Sequence, residues 1–315
     1  MNPQHEGTPS DAATWPPLPY AEWRDSCQTL HRMTQIVGKV RLALEPMMNH
    51  WWQVPLYVSV RGLTTSPMPA GTRLLEVEFD FIDHVVSLRT SDGQHASIAL
   101  AARPVADFYG DFMRALGLVG VNIGIWPIPV EVEGALPLDQ DREHASYDPE
   151  AVHRFWRTLV RVDRILRVFR AEFIGKSSPV HFFWGSFDIA VTRFSGRTAP
   201  PYPGSAPNLG DWVMREAYSH EVASAGFWPG NDMFPHAAFY AYAYPEPEGY
   251  ATARVGPQSA FYSNDVREFI LRYDDVIASP DPDAAILEFL HTTYASAADR
   301  GRWDRSALER TSGKL

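Results

Sequence analysis

Phe173-Ile174-Gly175-Lys176-Ser177-Ser178-Pro179-Val180-His181-Phe182-Phe183-Trp184, followed by Phe187-Asp188-Ile189-Ala190-Val191-Thr192-Arg193-Phe194-Ser195-Gly196, decides the fold, because an earlier stretch follows the same plan. Ile36-Val37-Gly38-Lys39 leads to His50-Trp51-Trp52 and then to the strand-like Pro55-Leu56-Tyr57-Val58-Ser59-Val60-Arg61-Gly62. In both, the order is helix, Gly-Lys, His before aromatics, β-rich strand, Arg, Gly. Such self-similarity reads as a diverged internal repeat, one supersecondary unit used twice.

The flanks extend the pattern. Trp23, Cys27, Leu30, Met33 and Val37 recur at helical spacing before the first Gly-Lys, and Val152, Phe155, Leu159, Leu166 and Phe169 before the second. Asp148-Pro149 and Asp281-Pro282 are N-cap and first-turn pairs. Leu75, Val77, Phe79 and Phe81 alternate with acids as in a half-buried strand, Ser91-Asp92-Gly93 turns, and Pro104 opens a helix. Val121 to Val132 reads as a further strand. Phe239, Ala241 and Ala243 alternate with tyrosines, and Ile286, Phe289 and Leu290 share a helix face. The expected fold is α+β, internally duplicated, with two pseudo-symmetric halves that each pack helices on a mainly antiparallel sheet. Its expected divisions are a flexible tail at 1–19, a first repeat at 20–134, a linker at 135–147, a second repeat at 148–310 and a tail at 311–315.

Composition narrows the class. The 315 residues are 45% hydrophobic and 13% aromatic, enough for a sizeable core. A net charge of -10 disfavours nucleic acid, whose phosphates need accumulated cations. The single Cys27 excludes an internal disulfide. No apolar run reaches the ~20 residues of a membrane helix, and the N-terminus lacks a secretory h-region. A soluble cytoplasmic protein is expected, with no membrane partner.

Gln35-Ile36-Val37-Gly38-Lys39, Asn49-His50-Trp51-Trp52, Arg61-Gly62-Leu63-Thr64-Thr65, Phe79-Asp80-Phe81-Ile82-Asp83-His84, the string from Gly175 to Gly185, and Tyr218-Ser219-His220-Glu221 resemble a bacterial family catalogued only as a domain of unknown function. The resemblance runs from about Trp15 to Glu309. It implies common fold and ancestry and brings no activity, cofactor or catalytic residue with it.

The chemistry must therefore come from the residues. Lys39, Lys176 and Lys314 are the only lysines, so the body of the chain keeps two while choosing Arg elsewhere. A compact ammonium is wanted at those two positions, or each Gly-Lys simply ends a helix. No nucleophile elbow, phosphate loop or dinucleotide fingerprint is present. On a helix read from about Asp211 to Ala225, Glu216 and His220 lie one turn apart, and with His181 they form a candidate set for a divalent transition metal. His181, Glu216, His220 and Lys176 are the candidate catalytic residues. Lys39, His50, Arg61, Arg193, Trp184 and Trp228 are the candidate substrate-binding residues, and the turn Ser224 to Gly230 is a candidate lid. The reading is an enzyme acting on a small anionic molecule, an aromatic one included, in a cleft between the repeats, by His/Glu metal-assisted or Lys/His acid–base chemistry. A non-catalytic ligand-binding or sensory protein using the same cleft is the alternative. A scaffold using Arg154, Arg157, Arg161, Arg164, Arg167 and Arg170 is a third.

Overall fold

The computed structural model describes residues 15–310; the expected tails at 1–14 and 311–315, with Lys314, lie outside the described residues. Residues 15–19, expected as tail, are packed: Trp15 Nε1 donates to Asp283 at 3.1 Å and the Tyr273 hydroxyl donates to the Pro16 carbonyl at 2.7 Å. Trp15 and Leu18 of this segment belong to the apolar core.

The long helix α1 (Tyr20–Leu44) opens the described chain. The first sheet follows, with β1 (Tyr57–Val58), β2 (Gly62–Thr64), β3 (Met68–Ala70), β4 (Arg73–Asp80), β5 (Val85–Thr90) and β6 (His95–Ala99). Its order is β1-β2-β4-β5-β6 with β3 also on β4, and all the pairings are antiparallel. Helix α2 (Val105–Leu118) packs on β6. Helix α3 (Pro149–Ala171) starts where the Asp148 side chain accepts from the Glu150 and Ala151 N–H groups. The second sheet comprises β7 (His181–Phe183), β8 (Asp188–Thr198), β9 (His220–Trp228), β10 (Ala238–Tyr244), β11 (Phe261–Ser263) and β12 (Glu268–Arg272), with the short α4 (Asp211–Ala217) between β8 and β9. Its order is β11-β12-β10-β9-β8-β7, again antiparallel. Helices α5 (Tyr273–Ile277), α6 (Pro282–Arg300) and α7 (Arg305–Leu308) close the described chain, α6 being capped by Asp281.

The protein is thus α+β with two antiparallel sheets of six strands each. Leu56 and Phe182 exchange backbone hydrogen bonds at 2.8 and 2.7 Å, tying the edge of one sheet to the edge of the other. Alternation sends Leu75, Val77 and Phe79 of the first sheet, and Ile189, Val191, Ala225, Phe227 and Phe239 of the second, into one continuous apolar core with α1, α3 and α6. The segment 135–147 contributes Leu138 and the fully buried Asp141, which pairs with Arg32 at 3.2 Å and His144 at 2.8 Å.

Three local expectations are corrected. Gly38 does not stop α1, which continues to Leu44; its missing Cβ makes room for Trp184, whose ring would stand 2.3 Å from any Cβ there. Gly175 lies beyond the end of α3 at Ala171, and Leu308 Cδ2 would crowd its Cβ at 2.5 Å. The two Gly-Lys pairs therefore have different local folds. Val121 to Val132 forms no strand: Pro127 and Pro129 lack donors, and the segment instead crosses α1, where the Gln35 side chain pairs with both backbone groups of Val130 at 2.8 Å.

The helix expected from Asp211 to Ala225 is only α4, seven residues long. Ser219 Oγ donates to the Glu216 carbonyl at 2.9 Å and closes the helix end. From His220 the chain becomes β9, because Ala223, Ala225 and Phe227 alternate toward the core and pair between β8 and β10. Ser224 to Trp228 is consequently central strand and supplies no lid. Four of the six arginines of the α3 stripe are locally engaged: Arg164 with Asp283, Arg167 with Asp163 at 2.5 Å, Arg170 with the Ser178 carbonyl at 2.5 Å, and Arg161 over the Trp15 ring.

Candidate functional site

The site begins with an unusual turn. His50 and Trp51 have φ of 57° and 61°, a left-handed conformation that costs a non-glycine residue energy. Side-chain contacts to α4 hold it. Trp51 Nε1 donates to the Val213 carbonyl at 3.0 Å, and His50 Nδ1 lies 2.9 Å from the Ala217 carbonyl, which the end of α4 leaves without a helical partner. A carbonyl oxygen only accepts, so the proton of a neutral His50 is assigned to Nδ1 and its lone pair to Nε2.

Lys176 comes to that lone pair from the other half of the chain. The strip 176–178 runs along β8, with Phe194 N–H donating to the Lys176 carbonyl at 3.0 Å and Ser178 N–H to the Thr192 carbonyl at 2.8 Å. This places Lys176 Nζ 2.7 Å from His50 Nε2. The ammonium also stands over Phe194 at 4.9 Å and Trp52 at 5.4 Å, within reach of cation–π attraction. His220, the first residue of β9, turns its ring edge to His50 at 5.4 Å, and Ser219 Oγ lies 3.1 Å from its Nδ1.

Electrostatics follow from this geometry. Burial holds His50 below the usual imidazole range; the Ala217 bond opposes that, and the charges of Lys176 and His220 add to it. Burial lowers Lys176 as well, with the nearby Glu216 carboxylate acting against it. The pair is thus poised with a neutral imidazole accepting from an ammonium whose own proton is held less tightly than in water. His50 is buried while Lys176 is exposed, so the cation is the accessible member.

Lys176, His50, Glu216 and His220 are brought into one neighbourhood; the other expected residues are elsewhere. His181 is buried in β7 with Nδ1 lacking a partner, and burial, then the Arg41 charge, push it down to about 3. Glu216, His220 and His181 therefore do not form the expected metal set, and among the described residues no three His, Cys, Asp or Glu are grouped to hold a metal ion. Arg193 does not face a ligand: its guanidinium lies 3.5 Å from the Phe169 ring and 4.3 Å from the Tyr294 ring, and it donates to the Phe169 carbonyl. Arg61 is occupied by Asp80 and, at 2.6 Å, Asp83 on the first sheet. Trp228 stacks on Phe234 at the far end of β9. Lys39 and Trp184 meet each other, apart from Lys176: the Lys39 ammonium is 5.7 Å from the Trp184 ring. Surface depressions of 660 and 200 Å³ lie over the 251–262 segment and beside Glu221 and Trp303, and neither includes His50 or Lys176.

A second group has a signal only partly visible in sequence, the tyrosine stripe of β10. On the face of the second sheet away from the main core, Tyr240 and Ser186 hydroxyls both donate to the buried Asp188, and the Tyr218 and Tyr242 hydroxyls are 2.8 Å apart. Burial and then the Asp188 charge push Glu131 up to about 7 and Glu268 up to about 8. Glu131 lies against Gly185, where a Cβ would come within 2.2 Å of its Oε1. Neither glutamate carries a local motif; the topology alone brings them to this face.

These features define an α+β protein of two edge-joined antiparallel sheets with a lysine–histidine pair where the halves meet, and no described helix is long and apolar enough to cross a membrane. The chain belongs to the family of unknown function DUF5996, which matches residues 15–310. No curated protein and no solved structure matches it.

Proposed function

We propose that the protein is a cytoplasmic enzyme acting on a small anionic, flat molecule at the Lys176–His50 pair. The observation that carries this reading is the 2.7 Å contact between Lys176 Nζ and the unprotonated nitrogen of His50. An ammonium has three N–H donors, so one directed to His50 leaves two for a carboxylate or a similar anion. Trp52 and Phe194 offer ring faces to the apolar part of such a molecule. His50 Nε2 is the acceptor for a proton leaving Lys176, and the amine so formed is a base or nucleophile. His220 is a second proton carrier, and Glu216 tempers the local positive charge. The two Gly-Lys strings enter this reading as diverged copies whose folds have parted, with His50 of one now serving Lys176 of the other.

Benzoate is the first probe, followed by histidine ring resonances in NMR. Wild-type protein should bind it, and Lys176→Met and His50→Gln should each weaken binding by about tenfold or more, the loss of one charge-assisted hydrogen bond. Equal binding by all three folded proteins overturns the proposal. A molecule that co-purifies unaltered, one per chain, and is lost in Lys176→Met would favour the non-catalytic sensor instead.

A further inference from the structure

Lys39 lies apart from the pair just described, and nothing assigned so far uses it. It is 4% exposed, yet among the described residues no carboxylate and no hydrogen-bond acceptor stands against its ammonium. Its neighbour Arg41, by contrast, binds the Gln53 carbonyl at 2.7 Å and approaches Glu45 at 3.8 Å. What Lys39 has instead is two indoles: its Nζ is 5.2 Å from the Trp126 ring and 5.7 Å from the Trp184 ring.

Both walls are built deliberately into the fold. Trp184 is fixed by its Nε1 bond to the Val54 carbonyl at 2.8 Å and reaches α1 only because Gly38 has no side chain. Trp126 belongs to the segment that Gln35, one helical turn before Lys39, clamps through both backbone groups of Val130. Trp126 is 57% exposed, so it forms the solvent side of the enclosure. An ammonium walled by ring faces with no anion beside it is less well solvated than in water, a cost that a neutral amine escapes. Burial accordingly brings Lys39 down to about 8.

We propose that Lys39 is a reactive-amine site that captures a small aromatic aldehyde as an imine, its ring stacked against Trp126. The enclosure selects this class. Indole faces are the negative side of the ring quadrupole and repel a carboxylate lying on them, whereas a neutral carbonyl compound pays no such cost and its flat substituent stacks. The Lys39 ammonium first releases one proton to solvent. The Nζ lone pair then forms a bond to the carbonyl carbon, giving a carbinolamine. The carbonyl oxygen leaves as water with the two remaining amine hydrogens as the C=N bond forms. No oxidant or reductant enters.

The test uses the full chain, benzaldehyde and borohydride reduction, with the modified lysine located by peptide mass mapping at pH 7. Lys39 should be modified at least about tenfold faster than the side-chain amine of a free Nα-acetyl-lysine amide present as internal reference. Lys39→Arg should remove that adduct while Lys176→Met leaves it unchanged, which separates this site from the Lys176–His50 reading. Trp126→Ala, a change at an exposed ring, should lower the yield by removing the stacking wall. Modification of Lys314 or Lys176 with Lys39 untouched in folded protein overturns the proposal, as does a higher yield in Trp126→Ala, which would make that ring a mere shield.

Discussion

Lys176 Nζ and His50 Nε2 are 2.7 Å apart although 126 residues separate them in the chain. The relationship depends on two independent placements. A left-handed turn aims the imidazole by tying its other nitrogen to the end of α4, and a strip beside β8 delivers the ammonium. Neither half of the chain makes the pair alone.

If the Lys176 charge reaches His50 in solution, Lys176→Met should raise the His50 pKa toward the ordinary 6.5, because a nearby cation that opposed protonation has gone. Ring-proton NMR titration of the two proteins reads this directly. An unmoved His50 titration, with the fold intact, would mean that the pair does not persist in solution.

Acid should destabilise the protein before its carboxylates titrate. Burial keeps His181 and His31 neutral, lowered to about 3 and about 4. Groups with depressed folded values bind more protons when unfolded, so their contribution is complete above about pH 6.5 and is lost as pH falls toward 4 and then 3. At pH 5 each should have given up about 2 kcal/mol, from 1.36 kcal/mol per unit. Urea unfolding of His181→Gln between pH 7 and 5 should show a shallower decline than wild type; parallel curves would contradict the assignment.

The opposite sign holds for Glu268. Its value is raised to about 8, so the stability it contributes is present below the ordinary carboxyl pKa and is lost as pH rises through about 8. Glu268→Gln resembles the protonated acid in shape. The variant should match wild type at pH 5 and exceed it at pH 9 by chemical denaturation, and the reverse order would refute the placement of this carboxyl beside Asp188.

Two glycines inside helices should respond oppositely to alanine. At Gly38 a Cβ would sit 2.3 Å from a Trp184 ring that is fixed by Val54, so Gly38→Ala should cost about 1–3 kcal/mol despite the better helix propensity of alanine. At Gly110 in α2 nothing lies within 4 Å, and Gly110→Ala should gain up to about 1 kcal/mol. Urea midpoints of the two variants settle the contrast.

Signals that act over a few residues were readable in the chain. Asp148-Pro149 and Asp281-Pro282 cap helices in the structure, Ser91-Asp92-Gly93 turns between β5 and β6, and Leu75 to Phe79 alternates into the core. Glu216 and His220 show the limit. Four residues is one helical turn, but a serine hydroxyl and the pairing demands of β9 ended the helix between them. The Lys176–His50 contact was less readable still: the two stood among the residues expected around one cleft, and no local spacing links residues 126 apart, so nothing in the chain singled out this pair. Glu131, from the 121–132 segment, and Glu268, from β12, come near Asp188 through loop and strand placement, for which no short spacing exists.

The exchange of hydrogen bonds between Leu56 and Phe182 has a mechanical side. Two bonds at the meeting edges make a joint that sets where one edge strand stands against the other. His50 stands six residues before one residue of that joint and Lys176 six before the other. The same two bonds that register the sheets therefore register the imidazole against the ammonium, so a substitution that shifts either edge carries one member of the pair with it.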